Sequence, residues 1–268
     1  MSGFVAKVLC PTLIGREPEL TALAKSLELT RSGEGRTVLV SGEAGIGKSA
    51  VLRAFATSAR ITGADCLVGE CIEIEARQPF GPFVQMLDAV ERERPAELER
   101  SLHGGARELV RLMPTRTARQ PRSEPTHGSE RYRIHESFVR LFTDLARIRT
   151  LVLTVDDLQW ADEATLELFP YLATRLRSER VLIVGSYRSD EMHRLHPLNE
   201  ALRQIDRIRT AERIALRPLD VRETSVVIRD ALGLSTLPER DLVTAVCAPM
   251  WRSCGGAAVV RWRQRRNR

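Results

Sequence analysis

Apolar positions follow two rhythms that alternate along the chain. Leu20, Leu23, Ala24 and Leu27 recur at i, i+3, i+4 and i+7, the period of a helix with one apolar face. Glu17, Pro18 and Glu19 open that helix with acid at the positive end of its dipole, and Gly33 and Gly35 close the segment. Thr37, Val38, Leu39 and Val40 form an unbroken β-rich run of the kind buried on both faces of a parallel sheet. The helical period returns from Lys48 to about Arg60, burying Leu52, Phe55, Ala56 and Ala59. Further strands are expected over Cys66 to about Ile74, Leu151 to Val155, Val181 to Ser186 and about Arg213 to Leu216. After the last of these, Asp220 and Glu223 have capping-box spacing for a helix ending at Gly233.

Helices alternating with short apolar runs predict an α/β fold: a five-stranded, mainly parallel sheet with helices on both faces. Residues 1–12 read as an N-terminal extension, 13–246 as one domain and 247–268 as a basic tail. Within the domain, residues 114–130 hold three prolines and no large apolar side chain. Such a segment buries too little surface to offset its ordering entropy, so a mobile surface loop is expected. No internal repeat of solenoid length is visible.

Composition adds exclusions. Among 268 residues, 43% are apolar and 28% charged, and no apolar run approaches the roughly 20 residues of a membrane-spanning helix. The first residues lack a secretory h-region, so a cytoplasmic protein without membrane association is expected. Five cysteines, Cys10, Cys66, Cys71, Cys247 and Cys254, form no C-x-x-C pair, which argues against a disulfide framework or zinc site. Cys66 and Cys71, five apart, are expected in the core on opposite faces of the sheet.

The net charge of +6 suggests nucleic-acid binding until its position is considered. Residues 251–268 contain six arginines and no acid, leaving 35 basic and 35 acidic side chains in the body. The body is neutral.

Candidate chemistry is concentrated in a few short stretches. Gly42-Glu43-Ala44-Gly45-Ile46-Gly47-Lys48-Ser49 fits the P-loop pattern G-x-x-x-x-G-K-S/T between a strand and a helix. Its glycines let successive N–H groups turn inward at a helix N-terminus and cradle phosphate. Lys48 is expected to reach the β- and γ-phosphates of ATP, and the Ser49 hydroxyl to ligate Mg²⁺. The strand from Leu151 delivers Asp156 and Asp157 to its C-terminal edge, where ligands bind in open α/β sheets. Asp156 is the expected Mg²⁺ holder, and Asp157 the group that orients or deprotonates the attacking water. Arg188, after the fourth strand, is a candidate γ-phosphate sensor, with a surface ion pair to Asp190 or Glu191 as the alternative. His193 and His196 read as solvated loop residues.

These stretches, with Leu13-Ile14-Gly15-Arg16-Glu17, Asp157-Leu158-Gln159-Trp160-Ala161-Asp162, Gly185-Ser186-Tyr187-Arg188 and Leu216-Arg217-Pro218-Leu219, occur in a set order. Together they resemble the AAA-type STAND P-loop ATPase module of large LuxR-family transcriptional regulators, over about residues 11–246. The resemblance implies that Ile14, Gly15 and Arg16 lie against the adenine and ribose of the nucleotide. Trp160 and Asp162 belong to the same stretch in that family, with packing and helix capping as equal explanations. It also implies an ATP-binding, slowly hydrolysing regulatory switch, with self-association as a further expectation. The alternatives are a nucleotide-binding module without turnover and a DNA-binding fragment acting through its tail.

Past Val246 the resemblance fails: the helical lid, repeat array and DNA-binding helix-turn-helix expected there are replaced by Pro249-Met250-Trp251 and an arginine-rich tail. The chain is thus read as lacking a DNA-binding module. The tail has no helical period and no acidic partners, so it is expected to be disordered and read out of the ancestral frame.

Overall fold

The computed structural model describes residues 13–73, 78–113, 116 and 128–238. Thr37 to Val40 form the centre of β1 (Arg36–Gly42), where all four are buried. β2 (Asp65–Glu70), β3 (Leu151–Asp156), β4 (Val181–Arg188) and β5 (Ala211–Ala215) complete a five-stranded sheet in the order β2-β3-β4-β1-β5. Every pairing is parallel, as expected when helices provide the crossovers. The strand ends differ from the sequence reading by a few residues. β4 runs two residues further, to Arg188, because it stays in register with β1 as far as Gly42. β2 stops at Glu70, where Gln85 takes over both of that residue's backbone groups.

Side-chain alternation splits the core between the two faces of the sheet. Leu39, Leu67, Leu153, Val155 and Ile183 join one cluster with Phe83, Phe138, Phe142 and Phe169. These phenylalanines come from α3 (Gly81–Glu93), α5 (Gly128–Ile148) and α6 (Glu163–Arg175). Each is essentially without solvent contact, which contributes on the order of 2–3 kcal/mol per ring. The intervening Val38, Val40, Cys66, Val152 and Val184 are equally buried but outside that cluster. On their face lie α1 (Glu17–Arg31) and α2 (Lys48–Ile61), which pack on each other and on the strands. Cys66 is on the α2 face, its thiol 3.5 Å from the Ala56 carbonyl oxygen, and Cys71 belongs to the opposite cluster.

The buried face of α1 is rotated from the one its leucines suggest. Leu23 and Leu27 are buried as expected, but Ser26 and Thr30 join them, while Ala24 is exposed. The hydroxyls tolerate burial because each donates to a carbonyl one turn back, Ser26 to Ala22 (3.1 Å) and Thr30 to Ser26 (2.8 Å).

α4 (Pro95–Ser101) continues into irregular helical turns through Leu112, interrupted by Gly105 at φ 124°. Within 114–130, Arg116 is held by Glu91 (2.7 Å) and Glu99 (2.5 Å), and α5 begins at Gly128, two residues before the expected loop end. α7 (Leu198–Asp206) precedes β5. His193 is exposed and His196 half-buried; the Nδ1 of His196 accepts from the Leu198 amide at the start of α7. No described helix is long and apolar enough to cross a membrane. The tail with Cys247 and Cys254, and the N-terminal extension with Cys10, lie outside the described residues.

The chain divides into two units, Glu17–Leu216 and Met1–Arg16 with Arg217–Arg268, so the span 13–246 includes residues of both. In the second unit, α8 (Val221–Leu232) has the expected capping box: Asp220 accepts from the Glu223 amide (2.8 Å) and Glu223 from the Asp220 amide (2.7 Å). Gly233 closes the helix at φ 63°.

His135 on α5 is buried between Phe80 and Tyr171, with ring centroids 5.8 and 5.2 Å away. Its Nε2 meets no hydrogen-bond partner among the described residues. Burial, reinforced by the Arg131 charge and opposed by Glu136, lowers its pKa to about 4 from 6.5. Between those values the unfolded chain takes up a proton that the folded chain refuses, so this contribution is complete above about pH 6.5 and is lost as pH falls towards 4. At pH 5 the loss is about 2 kcal/mol. Calorimetric melting at pH 7 and pH 5 should show a drop in midpoint that His135→Phe reduces; an unchanged drop would mean that other groups cause it.

Candidate functional site

Parallel pairing brings the C-terminal ends of β1, β3 and β4 to one edge of the sheet. Gly42 is in register with Arg188, and Val155 with Gly185. From Gly42 the chain enters a tight turn before α2 starts at Lys48. Gly45 (φ 74°) and Gly47 (φ 103°) are in the left-handed region that favours glycine. At Gly42 the constraint is space: a Cβ would stand 2.9 Å from Cγ2 of Ile46. The Gly47 carbonyl accepts from the Val51 amide (3.0 Å), which starts the helix directly after the turn.

Lys48 is only 5% exposed. Its Nζ donates to the carbonyls of Gly42 and Glu43, both at 2.9 Å, so the ammonium sits over the turn. Burial pushes its pKa below the usual lysine value. The Asp157 charge opposes that shift, Arg188 adds to it, and Asp190 and Asp156 oppose it. Four charged groups from the ends of β3 and β4 thus act on Lys48 at this edge. Ser49, half-buried in the first turn of α2, is next to Lys48.

The β3 end is a hydrogen-bonded junction. Asp156 Oδ1 accepts from the Ser186 hydroxyl of β4 and from the Asp157 amide (3.2 Å). That amide also donates to Ser186 Oγ (3.0 Å). These contacts hold Asp157 at φ 57°, ψ 50°, a left-handed conformation unusual for a residue other than glycine. A one-turn 3-10 helix, Leu158–Trp160, follows. It can lie close to β4 because residue 185 is glycine; a Cβ there would be 2.6 Å from Cδ1 of Leu158. Gln159 Nε2 donates to Asp157 Oδ1 (2.9 Å), and Gln159 Oε1 accepts from the Arg188 amide (3.0 Å).

The Arg188 guanidinium pairs with Glu191 and lies 5.7 Å from the Trp160 ring centroid. The ion-pair alternative is therefore present, while the Arg188 charge still reaches Lys48. Asp190 Oδ2 accepts from the Ala44 amide of the turn at 3.5 Å, so a carboxylate lies beside that turn. Asp162 is a capping residue: it accepts from the Thr165 amide (2.9 Å) and the Phe80 amide (3.1 Å).

Residues 12–184 match the family model described as the AAA ATPase domain. The chain belongs to this family. The AAA ATPase match contains the glycine turn and the Asp156-Asp157 pair, and ends on β4 four residues before Arg188. An uncharacterized protein of Rhizobium meliloti (strain 1021) is 24% identical over 238 residues, 81% of this chain; the chain spans about a fifth (21%) of that relative. A crystal structure of a DNA replication initiation factor covers 91% of the chain and 60% of its own length at 15% identity, TM-score 0.47. AMPPCP-bound DnaA from Aquifex aeolicus covers the same shares at 13% identity, TM-score 0.45. Drosophila ORC bound to DNA covers 74% of this chain and 90% of that one at 14% identity, TM-score 0.42.

The structure brings the sequence-predicted Lys48, Asp156, Asp157 and Arg188 to one edge of the sheet. Ile14, Gly15 and Arg16 belong to the other unit. There, Arg16 is buried and donates to the Arg217 carbonyl (2.7 Å), while Gly15 takes φ 66° close beneath Glu223, whose Oε1 a Cβ would approach to 2.4 Å. Arg217 pairs with Glu223 at 2.6 Å and, together with burial and the Asp220 amide, sets that carboxyl's pKa, the net shift being downward. Two polar residues of the site, Ser186 and Gln159, were not singled out from the sequence, and neither was the amide-bound role of Asp190. Ser186 carried a signal, a hydroxyl in an otherwise apolar strand, here fully buried.

Proposed function

We propose that this AAA ATPase domain binds Mg-ATP, hydrolyses it slowly to ADP and phosphate, and serves as the nucleotide switch of a LuxR-like transcriptional regulator in the cytoplasm. The observation that supports this reading best is the gathering of Lys48, Asp156, Asp157 and Arg188 around a glycine turn at one sheet edge.

The amides of Glu43 to Ser49 form the phosphate cradle at the N-terminus of α2. Lys48 exchanges its two carbonyl partners for the β- and γ-phosphate oxygens. The donor set fits a hard divalent cation: the Ser49 hydroxyl and the Asp156 carboxylate are oxygen ligands of the type Mg²⁺ prefers. Bound Mg²⁺ supplies charge neutralisation at the phosphates. Asp157 accepts the proton of the attacking water. Arg188 leaves Glu191 for the γ-phosphate, so its position reports whether that phosphate is present. Ile14, Gly15 and Arg16 are proposed contacts to adenine and ribose on the strength of the motif resemblance alone.

Incubating the chain with ATP and Mg²⁺ and measuring released phosphate tests the reading. Slow release that stops on chelation of Mg²⁺ is expected. Saturable binding without release would reduce the function to nucleotide holding.

A further inference from the structure

Gln159 is 3% exposed, and its side-chain hydrogen bonds among the described residues go to Asp157 and Arg188, not to the glycine turn. Both ends of its amide are committed, one to the residue that follows β3 and the other to the last residue of β4. Nε2 donates to Asp157 Oδ1 (2.9 Å), and Oε1 accepts from the Arg188 backbone amide (3.0 Å). The other contacts at this junction fix the Asp157 backbone: its amide is held by Ser186 Oγ (3.0 Å) and Asp156 Oδ1 (3.2 Å). Among the described residues, Gln159 alone donates to the Asp157 carboxylate through its side chain.

From this geometry we propose that Gln159 is a positioning residue, which fixes the orientation of the Asp157 carboxylate by anchoring it to the backbone at the end of β4. The proposal rests on the reading of Asp157 as the group that takes the proton of the attacking water. Glutamine suits the task because it offers one donor and one acceptor on a rigid amide plane. A leucine offers neither, and an ionised glutamate keeps the acceptor for the Arg188 amide but loses the donor to Asp157. The Arg188 amide is a fixed anchor, because residue 188 is held in β4 opposite Gly42. Small misplacement of a reacting group costs large factors in rate but little in binding, because Gln159 makes no contact with the phosphates.

The test uses the full chain with Gln159→Glu and Gln159→Leu, measuring single-turnover hydrolysis of ATP, affinity for a fluorescent ATP analogue and thermal midpoint. Hydrolysis is expected to fall at least about tenfold in both variants while affinity stays within about twofold. A purely structural role predicts parallel losses of affinity and midpoint, and that result overturns the proposal. Wild-type hydrolysis in both variants overturns it as well. As a readout independent of turnover, the side-chain amide NMR signals of Gln159 should shift on Asp157→Asn; unmoved signals contradict the bridge. If the unaltered chain binds the analogue but releases no phosphate, the hydrolytic reading fails and this proposal falls with it, a result distinct from a change confined to the variants.

Discussion

Lys48→Ala is expected to weaken ATP binding by roughly a hundredfold or more while leaving the fold intact. A charge-assisted hydrogen bond is worth about 1.5–3 kcal/mol, and the ammonium is placed to make two such bonds once it leaves the Gly42 and Glu43 carbonyls. The structural cost is small for a reason the sequence did not reveal. Lys48 is not a surface residue; it is buried, and burial disfavours its charge. Removing the side chain deletes an unfavourably desolvated cation together with its two hydrogen bonds, so the two losses partly offset. A fluorescent ATP analogue and circular dichroism measure the two halves. Unchanged affinity with native-like dichroism contradicts the assignment of the glycine turn to phosphate binding.

Asp157→Asn is expected to reduce turnover by about two orders of magnitude or more with ATP affinity nearly unchanged, since the amide cannot take a proton. The substitution suits the backbone: asparagine is one of the few residues that accept the left-handed conformation, which residue 157 adopts at φ 57°. Its Oδ1 can still accept from Gln159 Nε2. Loss of rate is therefore attributable to chemistry. Wild-type turnover in Asp157→Asn would make residue 157 a purely structural turn residue.

The parts of this fold governed by local pattern were legible. The apolar runs at β1, β3 and β4 became strands because continuous apolar, β-rich stretches have few other stable placements. The capping box at Asp220 and Glu223 and its closure at Gly233 formed as read, since both depend on residues within one helix. The glycine turn was legible because its backbone angles demand glycine at residues 45 and 47.

What the pattern could not show is adjacency between distant segments. The order β2-β3-β4-β1-β5 places Arg188 beside Gly42, a relation that no periodicity encodes. Ser186 meets Asp156 only because β3 and β4 are neighbours, and Gln159 gains its bridging place only from the close approach that Gly185 permits. The face of α1 was misjudged because a hydroxyl bonded to its own helix can be buried like an apolar group. For Ile14 to Arg16, local contacts with Arg217 and close to Glu223 already account for a buried arginine and a left-handed glycine. Their suggested nucleotide contact rests on motif order alone.

The most direct test of the central claim is a titration of the unaltered chain with a fluorescent ATP analogue, with and without Mg²⁺. The account predicts saturable binding at one site, tightened by Mg²⁺ and displaced by unlabelled ATP. No saturable binding up to millimolar nucleotide would contradict it.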